Sequence, residues 1–569
     1  VRMSRRSRMP GDGRSFSDSA HYLTLILAVV LVAVVAKLLW LQLIDAPSLR
    51  DAAAAQRTSA LTIRAKRGTI FDRDGNVLAM SVDCKTVYCN PREVNDPNGA
   101  AKIMAEELGG EAADYLEPLT RESTFAYIRR QVDEDKAERL KNRLEASKVD
   151  GVYYLGDTKR VYPYGSVGGQ VLGIVGTDGN GLSGLELYYD KLLSGTDGTL
   201  LLETGADGTP IAGARSRTTD AKNGSDIVIS LDIDIQKVAE ETIAAGVKQY
   251  EADSGSVIVT DPSTGEILAA CSTPLFDITN TSVIEEGALD LKPVSSSFEP
   301  GSIFKLLTMS IGIENQVIST DTPFTVPAKV RVGDDMVGDD DGRDFTMVMD
   351  PREILRRSSN AGTALVAQSV IGSDAFAGGI QKFGIGQTTG IDFPGEVAGL
   401  VKSREQYDGA SLGSMSFGQS LALPLVQMVK AVGGIANDGV LQTPHFLISS
   451  AGERQEWPSP GVAISKDTAD QVTDMMRTVV QEGTAMSARV EGYDIAGKTG
   501  TGEQADDSGK YLAYSFVSSL IGFAPADSPR VLVYVGLNGT PYLASGSAAV
   551  LFSTIMGESL SDMGVQPSS

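Results

Sequence analysis

Ser302 and Lys305 stand three residues apart in the stretch Ser297-Phe298-Glu299-Pro300-Gly301-Ser302-Ile303-Phe304-Lys305. On a helix that spacing puts two side chains on one face. A serine hydroxyl is a poor nucleophile until a neighbouring base takes its proton, and a lysine amine is such a base once its pKa is depressed. Pro300-Gly301 signals a turn, and Ile303, Phe304, Leu306, Leu307, Ile311 and Ile313 then recur at roughly helical spacing, which predicts a helix with Ser302 in its first turn. Alone the pair is a weak signal, because composition supplies about one Ser-x-x-Lys in a chain of this length. Two further motifs follow it in order: Ser358-Ser359-Asn360, the one Ser-x-Asn, and Lys498-Thr499-Gly500-Thr501, which holds the one Lys-Thr-Gly. The first also fits a polar helix cap before Ala361-Gly362-Thr363, and the second suits an edge strand.

The chain that must position these groups has 569 residues, more than one typical domain, and its 42% apolar and 22% charged residues are ordinary for globular protein. Two folded domains are expected. Fifty Lys and Arg against 73 Asp and Glu leave a net charge of −23, which argues against a broad nucleic-acid surface. Cys84, Cys89 and Cys271 are too few for a disulfide framework and are expected as small buried residues. With His21 and His445 the only histidines and no zinc-like spacing, neither a metal nor a cofactor is expected.

Residues 1–20, with Arg2, Arg5, Arg6, Arg8 and Arg14 among Ser, Gly and Pro, are expected to form a basic cytoplasmic tail. Residues 21–44 follow as a transmembrane anchor, its apolar run from Leu23 to Ile44 broken by Lys37 and Gln42. Arginines before the span, and acids such as Asp45 and Asp51 after it, predict a cytoplasmic N-terminus and an outside C-terminal bulk. Residues 45–224 mix short strands with amphipathic helices. Asp74-Gly75-Asn76 predicts a hairpin turn between Thr69-Ile70-Phe71 and Val77-Leu78-Ala79, with helices near 100–108 and 134–144 and a strand at Tyr153-Tyr154. Residues 225–560 carry strands at both ends and helices between, an α+β pattern, and 561–569 are a short tail. The tract Asp334 to Asp344 misses the calcium-loop spacing and is expected as a solvated loop, while Glu186 is expected to be structural.

The ordered trio of motifs resembles the signature set of the serine penicillin-recognising enzymes, and the whole chain is similar to class B penicillin-binding proteins. Flanking blocks carry the resemblance: Arg67-Gly68-Thr69-Ile70-Phe71-Asp72-Arg73, Gly181-Leu182-Ser183-Gly184-Leu185-Glu186, Asp261-Pro262-Ser263-Thr264-Gly265-Glu266 and Ser416-Phe417-Gly418-Gln419. It implies a five-stranded antiparallel sheet flanked by helices, behind a non-catalytic pedestal of the dimerisation type. It implies D,D-transpeptidation, in which Ser302 attacks the D-alanyl-D-alanine bond of a peptidoglycan stem peptide and the amine of a second stem takes the acyl group. Lys305 is then the base, neutral at working pH through burial and the nearby cation Lys498. Ser358 relays a proton to the leaving amine, and Asn360 holds the substrate backbone. Gly500 leaves room for that backbone, while Thr499, Thr501 and the Lys498 charge address the terminal carboxylate. The N–H groups of Ser302 and Thr501 form the oxyanion hole. Departures from the pattern are Ile303, where many relatives have Thr or Val, and Ala544-Ser545-Gly546-Ser547, which lacks a common proline.

By the same resemblance the partners are β-lactam antibiotics, a membrane glycan polymerase and division proteins, with a septal role favoured by the short C-terminal tail. Rival readings are an elongation-type transpeptidase, a D,D-carboxypeptidase with water as acceptor, and a non-catalytic β-lactam-binding sensor or scaffold. A β-lactamase is disfavoured, because no Glu-x-x-Leu-Asn follows the Ser358 motif to supply a deacylating carboxylate.

Overall fold

The computed structural model describes residues 15–44, 58–203, 217–505 and 511–567. The arginines of 1–14, the acids Asp45 and Asp51, and the last two residues of the expected tail lie outside the described residues.

The described residues fall into two compact units. The first contains the helix Ser15–Leu43 and a small antiparallel sheet of Thr58–Ile63, Gly198–Glu203 and Arg217–Thr219. The helix begins inside the predicted tail, and its stretch Ala20–Leu43 is long and apolar enough to cross a membrane. At about 1.5 Å per residue those 24 residues exceed the roughly 30 Å of a hydrocarbon core.

The second unit carries two larger sheets. One grows from the predicted hairpin: Ile70–Phe71 pairs antiparallel with Val77–Cys89. Asp72 closes its turn by accepting from the backbone N–H of Asp74 (3.0 Å) and Asn76 (2.7 Å) and from the Asn76 amide (2.8 Å). Gly75, at φ +89°, takes the left-handed position that the turn requires. Val77–Cys89 pairs with both Ala126–Asp133 and Val152–Val161, while Ile70–Phe71 runs parallel to Ile227–Ile229. One sheet thus joins strands from before and after residue 224. The helices Pro97–Leu108 and Glu134–Ala146 contribute Met104 and Leu140 to a satellite core with Val87 and Cys89 of the strand Val77–Cys89. Asp96 starts the first of these by accepting from Gly99 N–H at 2.9 Å, with Pro97 at the first helical position.

Glu186 is structural in this region. Its buried carboxylate lies 2.5 Å from Arg67 Nε and 2.6 Å from Arg160 Nε, and Arg67 also reaches Asp190 at 2.7 Å. An anion with no exposure persists only when paired in this way. All three cysteines are buried free thiols.

The other sheet has five strands, all antiparallel, in the order Ile267–Ser272, Ser254–Thr260, Val531–Thr540, Tyr511–Ala524, Ala496–Ala505. Val531 to Leu537 is buried at every position, as is Ile267–Ser272, so both side-chain faces are covered. Helices Ile233–Gln249 and Ala548–Asp562 pack against this sheet, as do Leu425–Ala436 and Lys466–Glu482. The last strand, Ala496–Ala505, lies at the sheet edge and carries Lys498, Thr499, Gly500 and Thr501.

Candidate active site

Ser302 lies in a tight 3₁₀ turn, Gly301–Phe304, from which the α-helix Lys305–Glu314 continues. Every residue of that helix from Lys305 to Ile313 is buried, so the helix is a rod through the core rather than an amphipathic surface element. The turn is held from a distant block. Gly301 N–H donates to Gly418 O at 3.1 Å, and the Thr308 hydroxyl donates to Ser416 O at 2.6 Å. Gly418 is at φ +86°, and a Cβ there would come within 2.1 Å of Gly301 O, so only glycine permits this approach. The block Ser416-Phe417-Gly418-Gln419 is therefore part of the serine's support.

Ser358, Ser359 and Asn360 form a corner between two helices. Pro351–Arg357 starts at Asp350, whose carboxylate accepts from Glu353 N–H at 2.8 Å, and it ends at Ser358. Ser358 sits at φ +58°, ψ 40°, a left-handed conformation uncommon for a residue with a Cβ. Such strain concentrates at functional sites. Ser359 then caps Asn360–Val366 by accepting from Gly362 N–H at 2.8 Å. The helix-cap reading of this motif holds for Ser359, while the residues on either side of it turn to the lysines.

Lys305 Nζ donates to Ser358 O and to Asn360 Oδ1, both at 2.6 Å, and lies 3.2 Å from Ser358 Oγ. From the sheet edge, Lys498 Nζ reaches the same Ser358 Oγ at 2.9 Å, and Thr499 O at 2.9 Å. Lys305, Ser358, Asn360 and Lys498 are thus one hydrogen-bonded group. Ser302 lies one helical turn from Lys305 and is 4% exposed, and both lysine side chains are fully buried. Burial pushes the Lys305 amine down to about 8, against the opposing pull of Asp340 and Asp339. Burial also pushes Lys498 well below the ordinary lysine range, and repulsion from Lys305 adds to it, against the pull of Asp340.

Thr501 adjoins the serine turn: a Cβ on Gly301 would lie 3.6 Å from Thr501 O. At Gly500 the structure departs from the expectation of space for a substrate. A Cβ there would meet Ser519 Oγ at 2.4 Å and Ile303 Cγ2 at 3.1 Å, so the missing side chain lets strand and serine turn close on each other. Thr499 also differs from expectation, since its hydroxyl is 2.6 Å from that of Thr484 and the residue is nearly buried, which leaves Thr501 as the more accessible of the two threonines.

The tract Asp334 to Asp344 is largely solvated, as expected, but it is ordered: it begins with a hairpin strand and is fastened at Asp339. Asp335–Gly338 forms a hairpin with Lys329–Val332. Asp339 then accepts from Ser359 Oγ (2.7 Å) and Ala361 N–H (3.0 Å), while its other oxygen pairs with the buried Arg343 at 3.0 Å. Asp340 accepts from the Asn360 amide at 3.0 Å, and Asp341 pairs with Arg357. Sequence reasoning missed this loop and Thr484 because neither lies at a motif spacing; the run of acids twenty residues before Ser359 was the only available signal.

Residues 255–557 match the penicillin binding protein transpeptidase domain, and residues 62–229 match the penicillin-binding protein dimerisation domain. The penicillin-binding protein PbpB of Mycobacterium tuberculosis is 32% identical over 597 residues, covering 97% of this chain and 87% of that protein. The peptidoglycan D,D-transpeptidase FtsI of Escherichia coli is 26% identical, covering 93% and 89%. Among solved structures, penicillin binding protein 3 of Mycobacterium tuberculosis complexed with aztreonam superimposes with a TM-score of 0.69 at 29% identity, covering 90% of this chain and 98% of that one.

Proposed function

This chain belongs to the class B penicillin-binding proteins, transpeptidases of peptidoglycan synthesis, and from that premise we propose that Ser302 cross-links stem peptides through an acyl-enzyme. The observation that carries this reading is the Ser358 hydroxyl set within hydrogen-bond reach of both buried amines, one on the helix that follows the serine and the other on the sheet edge.

Burial lowers both amines, and repulsion from Lys305 disfavours a second charge on Lys498, so the pair can share one proton through Ser358 Oγ. A substrate carboxylate arriving beside Lys498 draws the shared proton to that amine, because an anion nearby favours the charged form. Lys305 then gives a proton to Ser358 Oγ as the Ser358 hydroxyl proton passes to Lys498. The neutral Lys305 takes the Ser302 proton as Ser302 Oγ bonds to the carbonyl carbon of the penultimate D-alanine. Backbone N–H groups of Ser302 and Thr501 receive the oxyanion, and each such donor is typically worth about a hundredfold to a thousandfold in rate. On collapse the peptide bond breaks, Ser358 passes its hydroxyl proton to the leaving D-alanine amine and takes in its place the proton that Lys305 received from Ser302, and the acyl group stays on Ser302. The amine of a second stem then attacks the ester carbonyl, its surplus proton passes through Ser358 and Lys305 to the departing Ser302 oxygen, and the ester bond breaks to free the serine.

The expected neutral Lys305 and charged Lys498 describe the substrate-bound state. Thr501 and Lys498 address the carboxylate, with Thr499 acting through Thr484. Asn360 holds the donor backbone and Gly500 the close contact of strand and turn. The edge strand Ala496–Ala505 offers unpaired backbone groups to an extended peptide.

The reading extends to the cell. The helix through Ala20–Leu43 anchors the protein, with its N-terminus cytoplasmic and the catalytic unit outside. The stretch between Leu43 and residue 62, where the dimerisation-domain match starts, is too short to hold a polymerase domain, and the partner we propose is a separate membrane glycan polymerase, with the division septum as the place of action. Purified protein given a stem pentapeptide and an acceptor peptide should release one D-alanine per cross-link. Release without cross-linked product makes it a carboxypeptidase, and no release with intact β-lactam binding makes it a sensor.

A further inference from the structure

We propose that Asp340 is a positioning residue for acylation: its carboxylate fixes the Asn360 amide so that the amide oxygen faces Lys305, and it sets one uncompensated negative charge beside the lysine pair. The proposal rests on the reading of Ser302 and Lys305 as nucleophile and base.

Three consecutive aspartates each hold a different part of the corner that carries Ser358. Asp341 pairs with Arg357 at the end of one helix, Asp339 takes Ser359 Oγ and Ala361 N–H at the start of the next, and Asp340 takes the Asn360 side chain between them. Their surroundings differ. Asp339 is sealed against Arg343, with side chains 4% and 1% exposed, and Arg343 also donates to Val326 O and Pro327 O, so this pair fastens the loop to the fold. Asp340 is exposed, and among the described residues it has no ion-pair partner. It therefore contributes little to holding the loop.

What Asp340 does determine is the orientation of an amide. Asn360 has a donor end and an acceptor end of nearly the same shape, and its neighbours decide which points where. The Asp340 carboxylate accepts only, so it takes Nδ2 at 3.0 Å and leaves Oδ1 for Lys305 Nζ at 2.6 Å. A charged Lys305 holds Oδ1 by itself, but the neutral amine can also accept from Nδ2, so in that state loss of Asp340 lets the amide rotate and deprives Lys305 of a fixed acceptor. The charged groups facing the lysine pair are Asp339 and Asp340 from the loop, together with each lysine facing the other from helix and strand. Arg343 balances Asp339, so Asp340 is the carboxylate left to steady an ammonium at this site.

Two substitutions separate these effects. Asp340→Asn keeps an acceptor for Nδ2 and removes the charge, whereas Asp340→Ala removes both. The full chain in mild detergent is acylated by a fluorescent penicillin in stopped flow across the pH range around the Lys305 value of about 8. The expected result is that Asp340→Ala loses about tenfold to a hundredfold in acylation rate at every pH, as a hydrogen bond to a charged group implies. Asp340→Asn should keep its plateau within about threefold. Its rising limb should move to lower pH, because loss of the anion favours the neutral amine. Thermal unfolding should be unchanged in both. Wild-type rate and profile in Asp340→Ala would overturn the proposal, as would equal losses in both variants with lowered thermal stability, which would make the residue a loop support. Labelling of Ser302→Ala in the same assay would instead sink the underlying reading, whatever Asp340 does.

Discussion

Ser358 Oγ lies 2.9 Å from Lys498 Nζ and 3.2 Å from Lys305 Nζ, so one hydroxyl joins two buried amines that start on different elements, 193 residues apart in the chain. Two ammonium groups this close in a buried site repel, and a proton shared through the hydroxyl relieves the repulsion. The left-handed backbone at Ser358 is what brings its carbonyl and hydroxyl to the lysines together.

Replacing Ser358 with Ala should remove the relay while leaving both lysines in place. Acylation by a penicillin should fall by about a hundredfold or more, in the range of general acid–base contributions. Thermal unfolding should change little. A loss below about threefold in stopped flow would show that the proton moves by another route.

The buried Lys305 should make stability depend on pH. Its folded pKa of about 8 lies below the ordinary 10.5, so the unfolded chain binds more protons between those values and stability rises with pH across that window. Below about 8 the penalty is present in full and amounts to roughly 3 kcal/mol. Lys305→Met should therefore unfold at a higher temperature than wild type at pH 7, with the advantage shrinking toward pH 10. A constant difference across that range in thermal melts would contradict the shift.

Gly418→Ala tests the support of the serine turn. The new methyl group would fall 2.1 Å from Gly301 O, and the backbone must move to admit it. A displacement near 1 Å at a reacting centre costs about a hundredfold in rate. The variant should fold but acylate slowly, and acylation at the wild-type rate would show that the turn is held by other contacts.

Glu186→Ala should act on stability alone. It leaves Arg67 and Arg160 buried without their shared anion, a loss of about 3 to 5 kcal/mol when one member of a buried pair is removed. Below its melting temperature the variant should acylate normally; a slowed reaction in fully folded protein would give Glu186 a role in catalysis.

The sequence made some of this architecture legible and hid the rest for physical reasons. Local signals were readable: the Asp-Gly-Asn turn after Phe71, the apolar run in the first helix, and the alternation of strands and helices. The three motifs announced themselves by residue type and order. Their contacts depend on pairings across the sheet and on a positive φ at Ser358, which no local pattern encodes. Asp339 reads as a solvated charge because an acid tract usually is one; only the fold brings Arg343 back on it and the Ser359 corner onto the loop. At Gly500 the sequence points to what approaches from outside, whereas Ile303 and Ser519 fill its space from within.

The account stands or falls on the covalent chemistry of one hydroxyl. A strained β-lactam imitates the D-alanyl-D-alanine bond, and no Glu-x-x-Leu-Asn motif follows Ser358 to supply the glutamate by which β-lactamases activate water against the adduct. Intact mass of the purified protein after penicillin, followed by peptide mapping, should show one stable adduct, located on Ser302, and none in Ser302→Ala. An adduct on another residue, or full labelling of Ser302→Ala, would contradict it.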